Sequence, residues 1–170
     1  SAASDVYKRQ INRTLISGRV IASKTAAEKF SVKASEVKKA CRIVKASGKK
    51  PEGELRLSGS NLPLRSFAHT PRSENTTGAR RKQVSVSISR SRREALNKGF
   101  KWRGHIFERT GIRKATKANP RVHETIKKRY GPSVVAMVGN QAEKVQDRMN
   151  EMLQTRLDHE VNAILEGKAK

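Results

Sequence analysis

Apolar residues recur every three or four positions at the two ends of this chain and alternate with polar ones between them. From Val6 to about Lys29, Ile11, Leu15 and Ala22 fall on one helical face with Ile16, Val20 and Ala27 alongside, a spacing that predicts an amphipathic helix. Gly18 interrupts it at a cost of about 1 kcal/mol against alanine, which suits close packing against another element. The opening stretch Ser1–Gln10 reads either as an ordinary helix start, with Ser4 or Asp5 as N-cap, or as an adaptor-like leader foreign to the native chain, which would then begin at residue 11.

Ser35 to Cys41 predicts a short helix capped by Ser35. Arg42–Ala46 then looks extended, and Gly48-Lys49-Lys50-Pro51-Glu52-Gly53 has the Pro and Gly of a turn. Glu54–Ser58 alternates as a half-buried strand does, so the segment predicts a β-hairpin. Leu62–Phe67 is apolar but holds Pro63, which fits an edge or irregular segment. Residues 68–82 read as a polar loop. Gln83–Ser89 is the clearest strand, with Val84, Val86 and Ile88 on one side and serines on the other. The stretch Phe100–Arg109 ends in a further strand that Gly111 closes, and 112–129 is basic and loosely patterned. Tyr130-Gly131-Pro132-Ser133 reads as a turn with Pro132 opening a helix.

The last element is the strongest. Val138, Ala142, Val145, Met149, Met152, Leu153, Leu157, Val161, Ile164 and Leu165 recur at helical spacing, with Gly139-Asn140 as a kink or true start and Gly167 as a stop. Residues 140–166 would span about 40 Å at 1.5 Å per residue. The expected fold class is therefore α+β: a small antiparallel sheet flanked by an N-terminal helix and a long C-terminal amphipathic helix, with 11–170 as one domain.

Composition changes this picture in two ways. The apolar fraction is 35% and aromatics are 4%, below the roughly 45–50% apolar content of ordinary domains, so the core is thin and aliphatic. The net charge is +23, which calls for an anionic partner, either nucleic acid or an acidic protein surface. The charge is polarised. Between Arg80 and Tyr130 stand 17 Lys/Arg and three acids, whereas Val134–Glu166 holds three basic and six acidic residues. Such polarity would suit head-to-tail contact between copies in a ring. Arg80, Arg81, Lys82, Arg90, Arg92 and Arg93 are the candidate contacts to DNA or an acidic partner. Val145, Met149, Met152, Leu157 and Val161 are the candidate subunit-interface helix positions.

A specific DNA reader would need zinc spacing or a heptad zipper, and neither is present. Phe100, Trp102 and Phe107 alternate poorly for a stacking platform, so any DNA contact is expected to be to phosphates, sequence-tolerant and salt-sensitive. An anionic membrane is disfavoured because no basic amphipathic stretch carries aromatic anchors, and no apolar run approaches the roughly 20 residues of a bilayer span. Catalytic chemistry finds no foothold. His69, His105, His123 and His159 are scattered, His159-Glu160 lacks a second histidine at i+4, and no glycine set forms a phosphate-binding motif. Cys41 reads as a core thiol, and Glu94, Glu108 and Glu124 as partners for arginines. No catalytic residue, metal or cofactor is expected.

In order, the landmarks resemble the minor tail protein Z (tail completion) family of lambda-type long-tailed phages. They are Ile11-Asn12-Arg13; Val32–Ser35 and Ile43–Ser47; Leu62-Pro63-Leu64 to Phe67; the strand 84–88; Gly104-His105-Ile106-Phe107-Glu108-Arg109-Thr110-Gly111; Tyr130-Gly131-Pro132-Ser133-Val134 with Met137 and Gly139-Asn140; and a last helix holding Leu157, His159, Glu160 and Ile164. The match covers roughly residues 11–166. It departs between Thr110 and Tyr130, where the linker is long and very basic and an expected Leu/Pro-Ile step is replaced by Glu124-Thr125-Ile126. The resemblance implies a non-catalytic virion protein, assembled in host cytoplasm, at the head-proximal end of the tail. There it would serve head–tail joining and DNA passage with other tail and neck proteins as partners, while the charge distribution, not the resemblance, adds its own copies in a ring and nonspecific contact with genomic DNA. A sequence-nonspecific nucleic-acid-binding protein, ribosome-associated or nucleoid-like, is the alternative that composition alone favours. A small nuclease would need a carboxylate cluster that the basic region lacks.

Overall fold

Small residues decide where the first helix packs. In the computed structural model, which describes residues 2–74 and 83–167, α1 runs from Ala2 to Lys29. It buries Leu15, Ile21, Ala22 and Ala26 together with Gln10, Thr14, Ser23 and Thr25. Ile16 and Val20, expected beside the packed face, are exposed instead, because the buried stripe is made of alanine and hydroxyl residues that hydrophobicity alone does not mark. The chain is α+β, with α1 and α4 (Ala142–Leu165) at the two ends and several antiparallel sheets between them, where the pattern predicted one. The residues group into two compact units.

The first unit takes in 1–28, 34–59 and 134–170. Here α2 (Ala34–Ala40) leads into β1 (Cys41–Val44), which pairs antiparallel with β2 (Glu54–Leu57) as the hairpin pattern predicted. Ser35 lies inside α2 rather than capping it. The hairpin is tied to α1 by Asn12, whose Nδ2 donates to the Ala46 carbonyl (3.2 Å) and whose Oδ1 accepts from the Ala46 N–H (2.8 Å). A Cβ at Gly53 would stand 2.4 Å from Leu15 Cδ1, so only glycine lets the returning loop lie this close. Across the hairpin Arg42 faces Arg56, a like-charge pair that destabilises. Glu54 offsets it by accepting from Arg56 (2.8 Å) and Lys50 (3.0 Å), and those hydrogen bonds hold its carboxyl down to about 2.

Helices α3 (Val134–Gly139) and α4 are separated at Asn140-Gln141, so Gly139-Asn140 marks a true break. Gly167 adopts φ +67 just past α4 and its N–H donates to the Ile164 carbonyl (3.1 Å), the expected stop. Helices α1 and α4 run antiparallel along a polar seam. Gln10 donates to Glu160 (3.0 Å); Arg156 donates to Thr14 (3.1 Å) and Ser17 (2.9 Å); Arg148 donates to Thr25 (2.9 Å) and Glu28 (2.8 Å); and Lys144 also reaches Glu28. At Gly18 a Cβ would meet Met149 Cε at 2.9 Å, which is the close packing its sequence position suggested.

The second unit takes in 29–33 and 60–133. Strand β3 (Asn61–Pro63) and the 3-10 turn Leu64–Ser66 are followed by β4 (Ala68–Thr70), β5 (Ser85–Ser87) and β6 (Glu94–Ala95), then β7 (Gly99–Trp102), β8 (His105–Thr116), β9 (Asn119–Lys128) and β10 (Tyr130–Ser133). They form sheets β10-β3, β4-β5-β6 and β7-β8-β9, with antiparallel neighbours throughout. Three expectations are corrected. The polar loop begins with a strand, because Ala68–Thr70 pairs with Ser85–Ser87. Tyr130–Ser133 is a strand paired with β3 rather than a turn, since it carries Gly131 over the buried Phe67. The loosely patterned 112–129 is two long strands. The core holds Leu64, Phe67, Val84, Val86, Leu96 and Ile106.

A Cβ at Gly131 would stand 2.6 Å from Phe67 Cε2, on a ring that is 1% exposed. Gly131→Ala is expected to lower stability by about 1–3 kcal/mol through overpacking. Gly48→Ala, with nothing within 4 Å of the added Cβ, should stay within about 0.5 kcal/mol. Urea midpoints of the two variants check this, and equal midpoints would show that the ring yields freely.

Candidate functional site

The strongest surface feature grows from the tight turn between β7 and β8. Arg103 (φ 47) and Gly104 (φ 72) are its two central residues, and positive φ at both is what a type I′ hairpin turn requires. The turn places Phe100 opposite Phe107 and Trp102 opposite His105. Phe100 and Phe107 stack at 6.0 Å between centroids, Trp102 lies 5.7 Å from Phe107, and His105 meets Phe107 edge-on at 6.4 Å. The three aromatics therefore pack against one another, a cluster that their spacing did not mark. The cluster is already covered by cations: Arg103 sits 4.6 Å over Trp102 and Arg109 sits 5.2 Å over Phe100.

Strand β7 accompanies β8 only from His105 to Glu108. Beyond that point β8 and β9 continue as a two-stranded ribbon about 25 Å long at ~3.3 Å per residue. Gly111 sits inside β8 with φ +78 and does not end it. Four steps of β8, Arg109 to Arg113, face two of β9, Ile126 to Glu124, so the ribbon is bulged here. Side chains fasten the bulge. Glu124 Oε1 accepts from the Gly111 N–H (3.0 Å), Thr110 Oγ1 contacts Thr125 Oγ1 (2.5 Å), and Thr125 Oγ1 donates to the Ile112 carbonyl (3.2 Å). Glu124 also pairs with Arg109 (3.8 Å) and Lys98 (4.0 Å).

Past the bulge, residues 112–123 hold Arg113, Lys114, Lys117, Arg121 and His123 and no acid. Arg113 is paired in register with Glu124 and Lys114 with His123, so cations occupy both faces. Arg113, Lys114, Lys117 and Arg121 are exposed, as are Ile112 (61%) and Val122 (62%). The sequence pattern missed this arm because neither face is buried.

The other candidate positions fall elsewhere. Arg80, Arg81 and Lys82 lie outside the described residues. Arg90, Arg92 and Arg93 are exposed in the turn between β5 and β6, which Ser89 shapes by accepting from the Ser91 N–H (3.3 Å). Arg92 also borders a cavity of about 180 Å³ with Glu94, Arg129 and Tyr130. On α4, Val145 is buried within its own unit, Met149, Met152 and Leu157 are half-buried, and Val161 is 53% exposed. Outward-facing apolar surface on α4 is thus concentrated at Val161, Ile164 and Leu165.

No group of three or more His, Cys, Asp or Glu among the described residues is placed to hold a metal ion. No helix among them is long and apolar enough to cross a membrane. Cys41 is buried, and burial raises its thiol pKa, which makes it a poor nucleophile. No protein-family model, curated protein or solved structure matches this chain.

Two outcomes follow from the geometry. Gly111→Ala puts a Cβ at positive φ at a cost of about 1 kcal/mol, and amide exchange at 109–113 and 124 should quicken. Unchanged exchange would mean that Gly111 does not set the bulge. Burial, then Arg65 and Lys128, hold the His105 imidazole below its ordinary 6.5. The unfolded chain then takes this proton first, so the contribution of His105 to stability is complete above about 6.5 and is lost as pH falls toward the folded value. Arg65→Gln should raise the His105 pKa in an NMR titration, and an unmoved midpoint would remove Arg65 as a cause.

Proposed function

We propose that this chain is a structural virion protein of the phage tail and neck, completing the head-proximal end of the tail for head–tail joining and DNA passage. One observation carries the reading. The residues on which the resemblance is most specific are engaged in shaping sheets, not in a reactive constellation. Gly104 makes the hairpin turn, Phe107 joins the aromatic cluster, Gly111 forms the bulge and Gly131 admits the Phe67 ring. Landmarks of that kind suit an architectural part. Two exposed features then offer docking surface to neighbours: the end of α4 at Val161, Ile164 and Leu165, and the ribbon with Ile112 and Val122. The former belongs to the mildly acidic segment and the latter to the cationic one, a polarity suited to contact between unlike surfaces of neighbouring copies.

A second reading, a sequence-nonspecific nucleic-acid-binding protein outside any virion, is favoured by the acid-free stretch 112–123. Gene context and particle composition separate the two. The virion reading expects tape-measure or major tail genes beside this one, and expects the protein in purified particles by quantitative mass spectrometry at a fixed ratio to the major tail protein. A gene set without tail genes, or particles lacking the protein, would leave the second reading.

A further inference from the structure

We propose that the distal β8–β9 ribbon, residues 112–123, is a duplex-DNA contact. Arg113, Lys114, Lys117 and Arg121 would meet phosphates while the ribbon lies in a groove. This deepens the reading above by naming DNA as the partner of one element, and it can fail without that reading failing.

Three observations converge on it. The first is sign: four cations and no carboxylate lie beyond the bulge, and Arg113, Lys114 and Lys117 enter no ion pair among the described residues. The nearest acid, Glu124, is held at the bulge by the Gly111 N–H, Arg109 and Lys98. The second is shape. A major groove about 12 Å wide admits a two-stranded β-ribbon, and this ribbon has cations on both faces, so phosphates meet charge whichever face turns inward. The third is the state of the aromatics. A single-strand binder stacks bases on free rings, but Trp102 and Phe100 already carry Arg103 and Arg109. Phosphate contact by the arm is thereby favoured over base stacking.

A competing role for these cations is to guard the open edges of an isolated ribbon against pairing with other strands. Charge of either sign serves that purpose, whereas only positive charge binds phosphate, so charge reversal separates the two. The full chain is titrated into a fluorescent 30-base-pair duplex of mixed sequence and into the matching single strand, by polarisation, from 50 to 200 mM salt. R113E/K114E/K117E/R121E is compared with K24E/K38E/R42E/K45E, which reverses four cations that are also exposed but lie on α1, α2 and the β1–β2 hairpin. Circular dichroism and sedimentation accompany both.

The expected result is duplex binding that weakens about a hundredfold in the ribbon variant, with a log–log salt slope shallower by about three to four units. The control variant should change far less, and both proteins should stay folded and monodisperse. Equal losses in the two variants would overturn the proposal in favour of bulk attraction to a +23 chain. Retained duplex affinity in the ribbon variant would overturn it outright. Ribbon-dependent binding that is tighter for the single strand would refute the groove assignment. A changed oligomeric state with unchanged DNA binding would identify the ribbon's occupant as a second copy of the chain.

Discussion

Scarcity of carboxylates is the constraint under which this chain folds. Fifteen acids face 38 lysines and arginines, so most cations must find neutral acceptors or remain in water. Several of the acids sit at junctions, while Asp5 and Glu36 pair with lysines on their own helices. Glu28 gathers Lys144 and Arg148; Glu54 gathers Lys50 and Arg56; Glu108 takes Arg129; and Glu124 holds the bulge. Exposed pairs of this kind add little to stability, because water and salt screen them. Their value lies in fixing where elements meet. The α1–α4 seam shows the other solution, in which Arg148 and Arg156 donate to the hydroxyls of Thr14, Ser17 and Thr25. Hydroxyl acceptors need no counter-charge and let α1 keep polar residues buried along this seam, although the Arg19 Nε on the same helix has no hydrogen-bond partner among the described residues.

The thin aliphatic core follows from the same composition, and close approach substitutes for bulk. Ala22 and Ala26 are wholly buried on α1, and Gly18 receives the tip of Met149. In the second unit a single large ring, Phe67, fills the space that several aliphatic side chains would otherwise share, and Gly131 gives it room. Packing by small residues leaves little slack, because interiors are dense and an added methyl group has nowhere to go.

What could be read from the sequence depended on whether a face is buried. The helices at the two ends and the β1–β2 hairpin were legible because burial imprints a period of 3.6 or 2 on them. Gly18 and Gly167 were legible because glycine at those positions has few other uses. The α1 face was misassigned at Ile16 and Val20, since its buried stripe is polar and small. Gly111 reads as a strand end because glycine usually punctuates, whereas here its positive φ makes a bulge within the strand. The arm left no period at all: with both faces in water, nothing selects alternation from Ile112 to His123. The gathering of Phe100, Trp102 and Phe107 was hidden for a different reason. It depends on the I′ turn at Arg103-Gly104, which sets the register that brings the three rings together across two strands.

The candidate site is thus the part of the chain with the weakest folding signal, and that has a physical meaning. A segment that buries neither face gains little from hydrophobic burial, so its sequence is free to answer to something other than packing. If edge protection were the only demand on 112–123, carboxylates could also have met it. Instead the segment is cationic throughout, and the one carboxylate within reach, Glu124, is engaged at the bulge, where its negative charge balances Arg109 and Lys98 at the base of the arm. The bulge therefore draws Glu124 to the base of the arm, and residues 112–123 carry no carboxylate of their own. Concentrating one sign of charge on a solvated arm costs self-repulsion that an anionic partner relieves.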